Sequence, residues 1–204
     1  MELGHMAELT EEMLAKVRSV LDSRDLSELS QQHDQIVVLR EAMLDYLQHV
    51  GRAELSDAEA DEHARLVAAT GEIENMSAAV SYELIPLAQT LKEANTTPSK
   101  ETTDLLERLF QTIQASAHAA LRALVEQDEA AAQTVVANRD AILQLTSEFH
   151  RQQAVRLAGN EPDRLLRLRV QLEILDRLRR LYSVAEHMAI SVLPRSVLAG
   201  ELSA

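Results

Sequence analysis

Six arginines crowd residues 164–180: Arg164, Arg167, Arg169, Arg177, Arg179 and Arg180. A guanidinium presents a planar fork of N–H donors that suits carboxylates and other oxyanions. Clustered, these residues could build an anion site or a surface for an acidic partner. The competing chemistry is local. Asp163–Arg167, Glu173–Arg177 and Asp176–Arg180 each stand four apart, the spacing of ion pairs along one helix face, and Arg179 has Asp176 three residues before it. A salt-bridged, solvated face is the plain expectation for this stretch.

Seven histidines invite a search for metal ligands. Glu59 and His63 stand one helical turn apart and could share an ion, but such pairs are common on helix surfaces. His33-Asp34 and Glu186-His187 are adjacent in sequence, so their side chains point about 100° apart on a helix and chelate poorly. A di-iron carboxylate bundle needs Glu-x-x-His on two helices with further inward Glu; past the first six residues the chain has none. Nucleophilic catalysis has no support either. Gly-x-Ser-x-Gly, a phosphate-cradling glycine loop and His-Glu-x-x-His are all missing, and there is no Cys. No catalytic residue, no cofactor and no metal site is expected.

The elements that position these residues must be helices. Of 204 residues, 46% are apolar and 2% aromatic, with five Gly and four Pro, too few for the turns of an all-β fold. No run approaches the roughly 18 apolar residues of a membrane span. The net charge of −13 argues against nucleic acid, which needs a basic face. Residues 1–98 carry 19 acids and 7 bases, whereas residues 99–204 carry 14 and 13. That division hints at an oriented surface.

Apolar periodicity predicts helices over about 8–23, 26–51, 57–95, 102–127, 129–158 and 162–193. Ser56 with Glu59 is a capping box, Gly51 a natural stop, and Pro86 should kink or break the third helix. Gly71, inside that helix, suggests a close helix crossing. The stretch 95–99 (Asn-Thr-Thr-Pro-Ser) is the clearest loop and joins two halves.

Those halves resemble each other. A shift of 106 pairs Asp34 with Asp140, Ile36 with Ile142 and Leu39 with Leu145. A shift of 108 pairs Ile73 with Leu181, Val80 with Met188 and Pro86 with Pro194, and a shift of 104 pairs Ala15 with Ala119 and Arg18 with Arg122. Self-similarity at a fixed period marks a duplicated unit. The expectation is an all-α fold of two tandem three-helix units, residues 7–97 and 98–195, packed as an elongated bundle. Residues 1–6 read as a vector-derived tail and 196–204 as a frayed end.

Two three-helix units with Asp34 and Asp140 in their second helices resemble the PhoU family of phosphate-regulation proteins. The segment Asp176-Arg177-Leu178-Arg179-Arg180-Leu181-Tyr182-Ser183 stands where that family has its metal-binding signature. Arg179 and Ser183 replace its Glu and Asp, and Gly71 and Asn75 hold the corresponding places in the first repeat, so the family's metal sites are not carried over. Arg180-Leu181-Tyr182-Ser183 and the Val192-Leu193-Pro194 ending are more similar to the PhoU-like domain of sodium/phosphate cotransporter-related proteins. The resemblance implies a non-enzymatic regulatory or interaction domain linked to phosphate transport. It would be cytoplasmic, free-standing or tethered to the inner membrane through a segment outside this chain. Its partner would be a protein, another copy bound through helical faces, or a transporter's membrane part. Arg179, Arg180, Ser183, Glu72 and Asn75 are the candidate contact or anion-sensing residues. A metal-binding helical bundle and a generic helical adaptor are the alternatives.

Overall fold

The computed structural model describes residues 2–23, 27–84, 86, 99–157 and 164–194. Among them, six α-helices pack together: α1 (Glu2–Ser23), α2 (Ser27–Val50), α3 (Asp57–Ala79), α4 (Lys100–Glu126), α5 (Glu129–Leu157) and α6 (Arg164–Val192). No strand occurs among the described residues.

Local chemistry sets the ends. The Ser56 hydroxyl accepts from the Glu59 amide at 3.4 Å, and the Glu59 carboxylate accepts from the Ser56 amide at 2.8 Å, closing the expected capping box. The Ser56 hydroxyl also donates to that carboxylate, and these bonds hold the Glu59 pKa below its ordinary value. Ser99 caps α4 the same way, its hydroxyl accepting from the Thr102 amide. Between α4 and α5 the chain turns in two residues. Gln127 takes the left-handed conformation (φ 56°), and the Asp128 carboxylate caps α5 by accepting from the Ala131 amide.

Two helices differ from their expected bounds. Residues 2–6, read from sequence as a vector-derived tail, are helical: α1 begins at Glu2, and Leu3 and Met6 are buried in the core. The third helix is α-helical only to Ala79, after which Val80–Leu84 form a π turn. Pro86 has no N–H for the Tyr82 carbonyl and its ring crowds the preceding turn, so the helix widens there. The predicted continuation to 95, the joining loop except Ser99, the Asp163 helix start and the end at 196–204 lie outside the described residues.

α1, α2 and α3 each pack on the other two, and so do α4, α5 and α6. The sets meet mainly along α1–α4 and α3–α6. Helices α2 and α5 pack mainly within their own sets, at opposite outer ends of the bundle. Glu72 meets His187 at 3.1 Å and Glu83 meets Arg177 at 3.0 Å, so α3 and α6 run antiparallel. The core is built from Leu, Ile, Met, Val and Ala, with Phe149, Met13, Ile36, Ile73 and Ile113 among its fully buried side chains.

Several positions paired by sequence behave alike, though Leu39 is partly exposed where Leu145 is buried. Ile36 and Ile142, Ile73 and Leu181, and Val80 and Met188 are buried, while Asp34 and Asp140 are exposed. Gln32 donates to Glu12 across α2–α1 at 3.0 Å, and Asn138 donates to Ser116 across α5–α4 at 3.0 Å. Those two bonds are related by shifts of 106 and 104.

Candidate functional site

Arg179, Arg180 and Ser183 line one open groove of about 600 Å³ between α6 and α5, facing Arg139, Ile142 and Leu143. Leu143 is half exposed on its wall. The floor is held by Tyr182, which is buried and whose single O–H is shared between the Val135 carbonyl at 3.0 Å and Glu186 at 3.1 Å. Burial, reinforced by the neighbouring Glu186 carboxylate, pushes the Tyr182 phenol well above its ordinary range. Glu186 also accepts from Arg139 at 2.7 Å, which fixes that guanidinium on the α5 wall.

A second groove of about 410 Å³ continues along α6, sharing Asp176 and Arg180 with the first and adding Leu165, Leu168 and Arg169. Its other wall is the π turn, through Glu83. That carboxylate receives Arg177 at 3.0 Å and Arg180 at 3.1 Å, and Arg177 also reaches the Glu83 carbonyl at 3.2 Å. The local pairing expected on this helix is half right. Glu173–Arg177 forms at 2.8 Å, but Arg180 turns to Glu83 across the bundle in place of Asp176. Neither the Arg179 guanidinium nor the Ser183 hydroxyl has a hydrogen-bond or ion-pair partner among the described residues. What remains available in the groove is an unpaired guanidinium and hydroxyl beside apolar surface, a combination able to receive an oxyanion or an acidic side chain.

No family model matches the chain, and no curated protein matches it. The remaining candidates divide. Glu72 lies outside the groove and pairs with His187 across α3–α6. Asn75 is exposed on α3 and lines neither groove. Among the described residues no three His, Asp or Glu side chains converge as metal ligands do. Glu59 is taken by Ser56, and His63 lies 2.8 Å from the Leu47 carbonyl. A Glu-x-x-His does occur once, at Glu2–His5, but both residues are exposed and His5 sits 3.6 Å from Glu8. No described helix is long and apolar enough to cross a membrane.

Sequence reading did not single out the partner residues of this region. Arg139 adjoins the repeated Asp140, and Glu83 stands three residues before the helix-breaking Pro86, which were the signals available. It also missed a His–Ser contact, His33 Nδ1 to Ser77 Oγ at 3.1 Å, with Tyr82 edge-on to the imidazole at 5.1 Å. That serine is not poised as a nucleophile. Its hydroxyl already donates to the Glu74 carbonyl at 2.8 Å, and both side chains are buried. The predicted close crossing at Gly71 is absent: a Cβ there would meet nothing within 4 Å.

Proposed function

We propose that the chain is a non-enzymatic PhoU-like regulatory domain of phosphate transport, working through docking of its helical faces. Its architecture on this reading is a three-helix module present twice. The observation that carries it is the repeated cross-helix bond, Gln32 to Glu12 and Asn138 to Ser116, at positions the sequence shifts relate. The all-against-all packing within α1–α3 and within α4–α6 supports the same reading. So does the α6 segment from Asp176 to Ser183, which resembles the cotransporter-related branch.

Docking on this reading uses Arg179, Arg180 and Ser183, with Glu72 and Asn75 bordering the α3–α6 contact. The domain acts on a transporter's membrane part or as a free-standing regulator in the cytoplasm. Both versions predict a phosphate phenotype. Deleting the coding region from its genome should change the uptake of labelled phosphate, and restoring a copy with Arg179→Ala and Arg180→Ala should complement poorly. Uptake that is unaltered by the deletion, under both phosphate-rich and phosphate-limited growth, sinks the proposal.

A further inference from the structure

The neighbouring helices α1 and α2 leave an open groove of about 570 Å³, with Leu9 on one wall and Val38 and Leu39 on the other. Its surface is mainly apolar. Val38 is 65% exposed, and Ala42 and Tyr46 continue the strip in steps of four along α2, with Tyr46 67% exposed. The second set shows that the module does not need such a strip. Its groove between α4 and α5 has Gln144 and Glu148 at the positions of Val38 and Ala42, and Gln152 stands where Tyr46 does. A solvated helix face is ordinarily polar, so an apolar strip on one twin alone marks a contact the fold itself does not make.

Acidic side chains border this strip. Asp34, Glu41 and Asp45 fall within about 40° of one another around α2, in one exposed row beside Val38. Glu8 and Glu12 are exposed along α1. Arg40, the single base of α2, turns away to Glu74 on α3 at 3.3 Å. Helices α1 and α2 carry nine acids and three bases, against seven and six on α4 and α5, so the acidity belongs to this pair and not to the module. We infer that the α1–α2 groove receives a basic amphipathic helix of another protein. Its apolar residues, three and four apart, rest on Val38 and Tyr46, and its Lys and Arg meet the acidic side chains on either side. From Gln31 to Tyr46 α2 runs about 22 Å, so a partner segment of about 15 residues covers the strip. A second copy docked groove to groove sets acid against acid, which disfavours it. A contact of this length falls among small, transient interfaces.

This surface lies apart from Arg179, Arg180 and Ser183, and it stands or falls independently of phosphate uptake. The probe is a fluorescent peptide of about 15 residues, Leu and Lys only, with Leu spaced three and four apart. Titrated with the full chain and read by anisotropy, it should bind with a Kd below about 100 µM. The same composition in scrambled order should bind at least about tenfold more weakly. Val38→Gln with Tyr46→Gln copies the second set and keeps every charge, and it should weaken binding about tenfold or more. Asp34→Lys with Glu41→Lys should do the same. Asp61→Lys with Asp104→Lys, which exchanges exposed acids on α3 and α4, should change the Kd less than about threefold. Circular dichroism checks that each variant is folded. Absence of binding overturns the inference. So does a glutamine variant that binds like wild type, or an α3–α4 exchange as damaging as the α2 exchange, since net charge alone then holds the peptide. A wild-type dimer in sedimentation that the glutamine variant abolishes assigns the strip to a second copy and overturns it too.

Discussion

Phe149 on α5 is fully buried, while Met43, its counterpart 106 positions earlier on α2, is only partly covered. The contrast extends along the helices. The second set buries Ala117, Ala120 and Ala123 on α4, Ala131 and Ala132 on α5, and Ala185 and Ala189 on α6. The first set buries Ala7 and Ala69 and relies on larger side chains such as Met6, Met13 and Met76. Small residues let helix axes approach closely, so α4–α6 can pack tightly around one ring, whereas α1–α3 interdigitate flexible thioethers. The first set also contains the π turn and a buried polar contact, His33 to Ser77. The two sets thus fill their cores differently, and tighter packing should make the second the firmer of the two.

Truncating matched positions gives the largest test of that contrast. Phe149→Ala should cost about 3–5 kcal/mol, the range for a fully buried aromatic, whereas Met43→Ala should cost about 1 kcal/mol because its site is already partly open. Denaturant melts of both variants measure the difference. Equal losses would mean that the two sets are equally packed, and the comparison would fail.

Much of this layout can be read from residue order, and the exceptions have identifiable causes. Ser56 with Glu59 announced the α3 start because capping is a short-range contact. Pro86 announced a disturbance but not its form, since a π turn depends on what waits to pair with Glu83 across the bundle. The α6 pairing misled for the same reason. Four-residue spacing assigned Arg180 to Asp176, yet a partner 97 residues away took it. Met6 lies before the helix start expected near residue 8, yet it supplies core volume. Of the five candidate residues, the three close in sequence on α6 share a groove, and Glu72 and Asn75 do not join them. Side-chain direction on one helix follows from its period, whereas meetings between helices depend on packing that no local pattern encodes.

The polar ties of the two sets offer a medium-sized test. Tyr182 ties α6 to α5 through the Val135 carbonyl, while its counterpart in the first set, Glu74, sits in an ion pair with Arg40 at 3.3 Å. Tyr182→Phe should cost about 1–2 kcal/mol by removing the phenol's bonding to the Val135 carbonyl and the Glu186 carboxylate. It should also alter the alkaline limb. The native phenol holds its proton above the ordinary value, so the unfolded chain ionises first and wild-type stability falls as pH rises past about 10. That part of the decline should vanish in the phenylalanine variant. Parallel pH curves for the two proteins would show that Tyr182 is not held as described.

Glu83 joins the sets, and its effect should be smaller. Glu83→Gln keeps the size of the side chain but removes the charge that meets Arg177 and Arg180. Arg177 is only 22% exposed, so its partner should matter, while Arg180 at 69% is largely solvated. A loss of about 1 kcal/mol that shrinks with added salt is expected. A loss unchanged by salt would assign the role of Glu83 to packing of the π turn and not to its charge.

Gly71 gives the smallest effect, with the opposite sign. It occupies the middle of α3, where a glycine lowers helix stability, and it stands opposite Arg179 in the repeat. No atom within 4 Å requires the missing side chain. Gly71→Ala should therefore stabilise the fold by about 0.5–1 kcal/mol, by reducing the freedom of the unfolded chain and adding helix propensity. Denaturant melts of the two proteins measure the difference. A destabilised variant would mean that α3 closes on a neighbour at this point, against the open space found around Gly71.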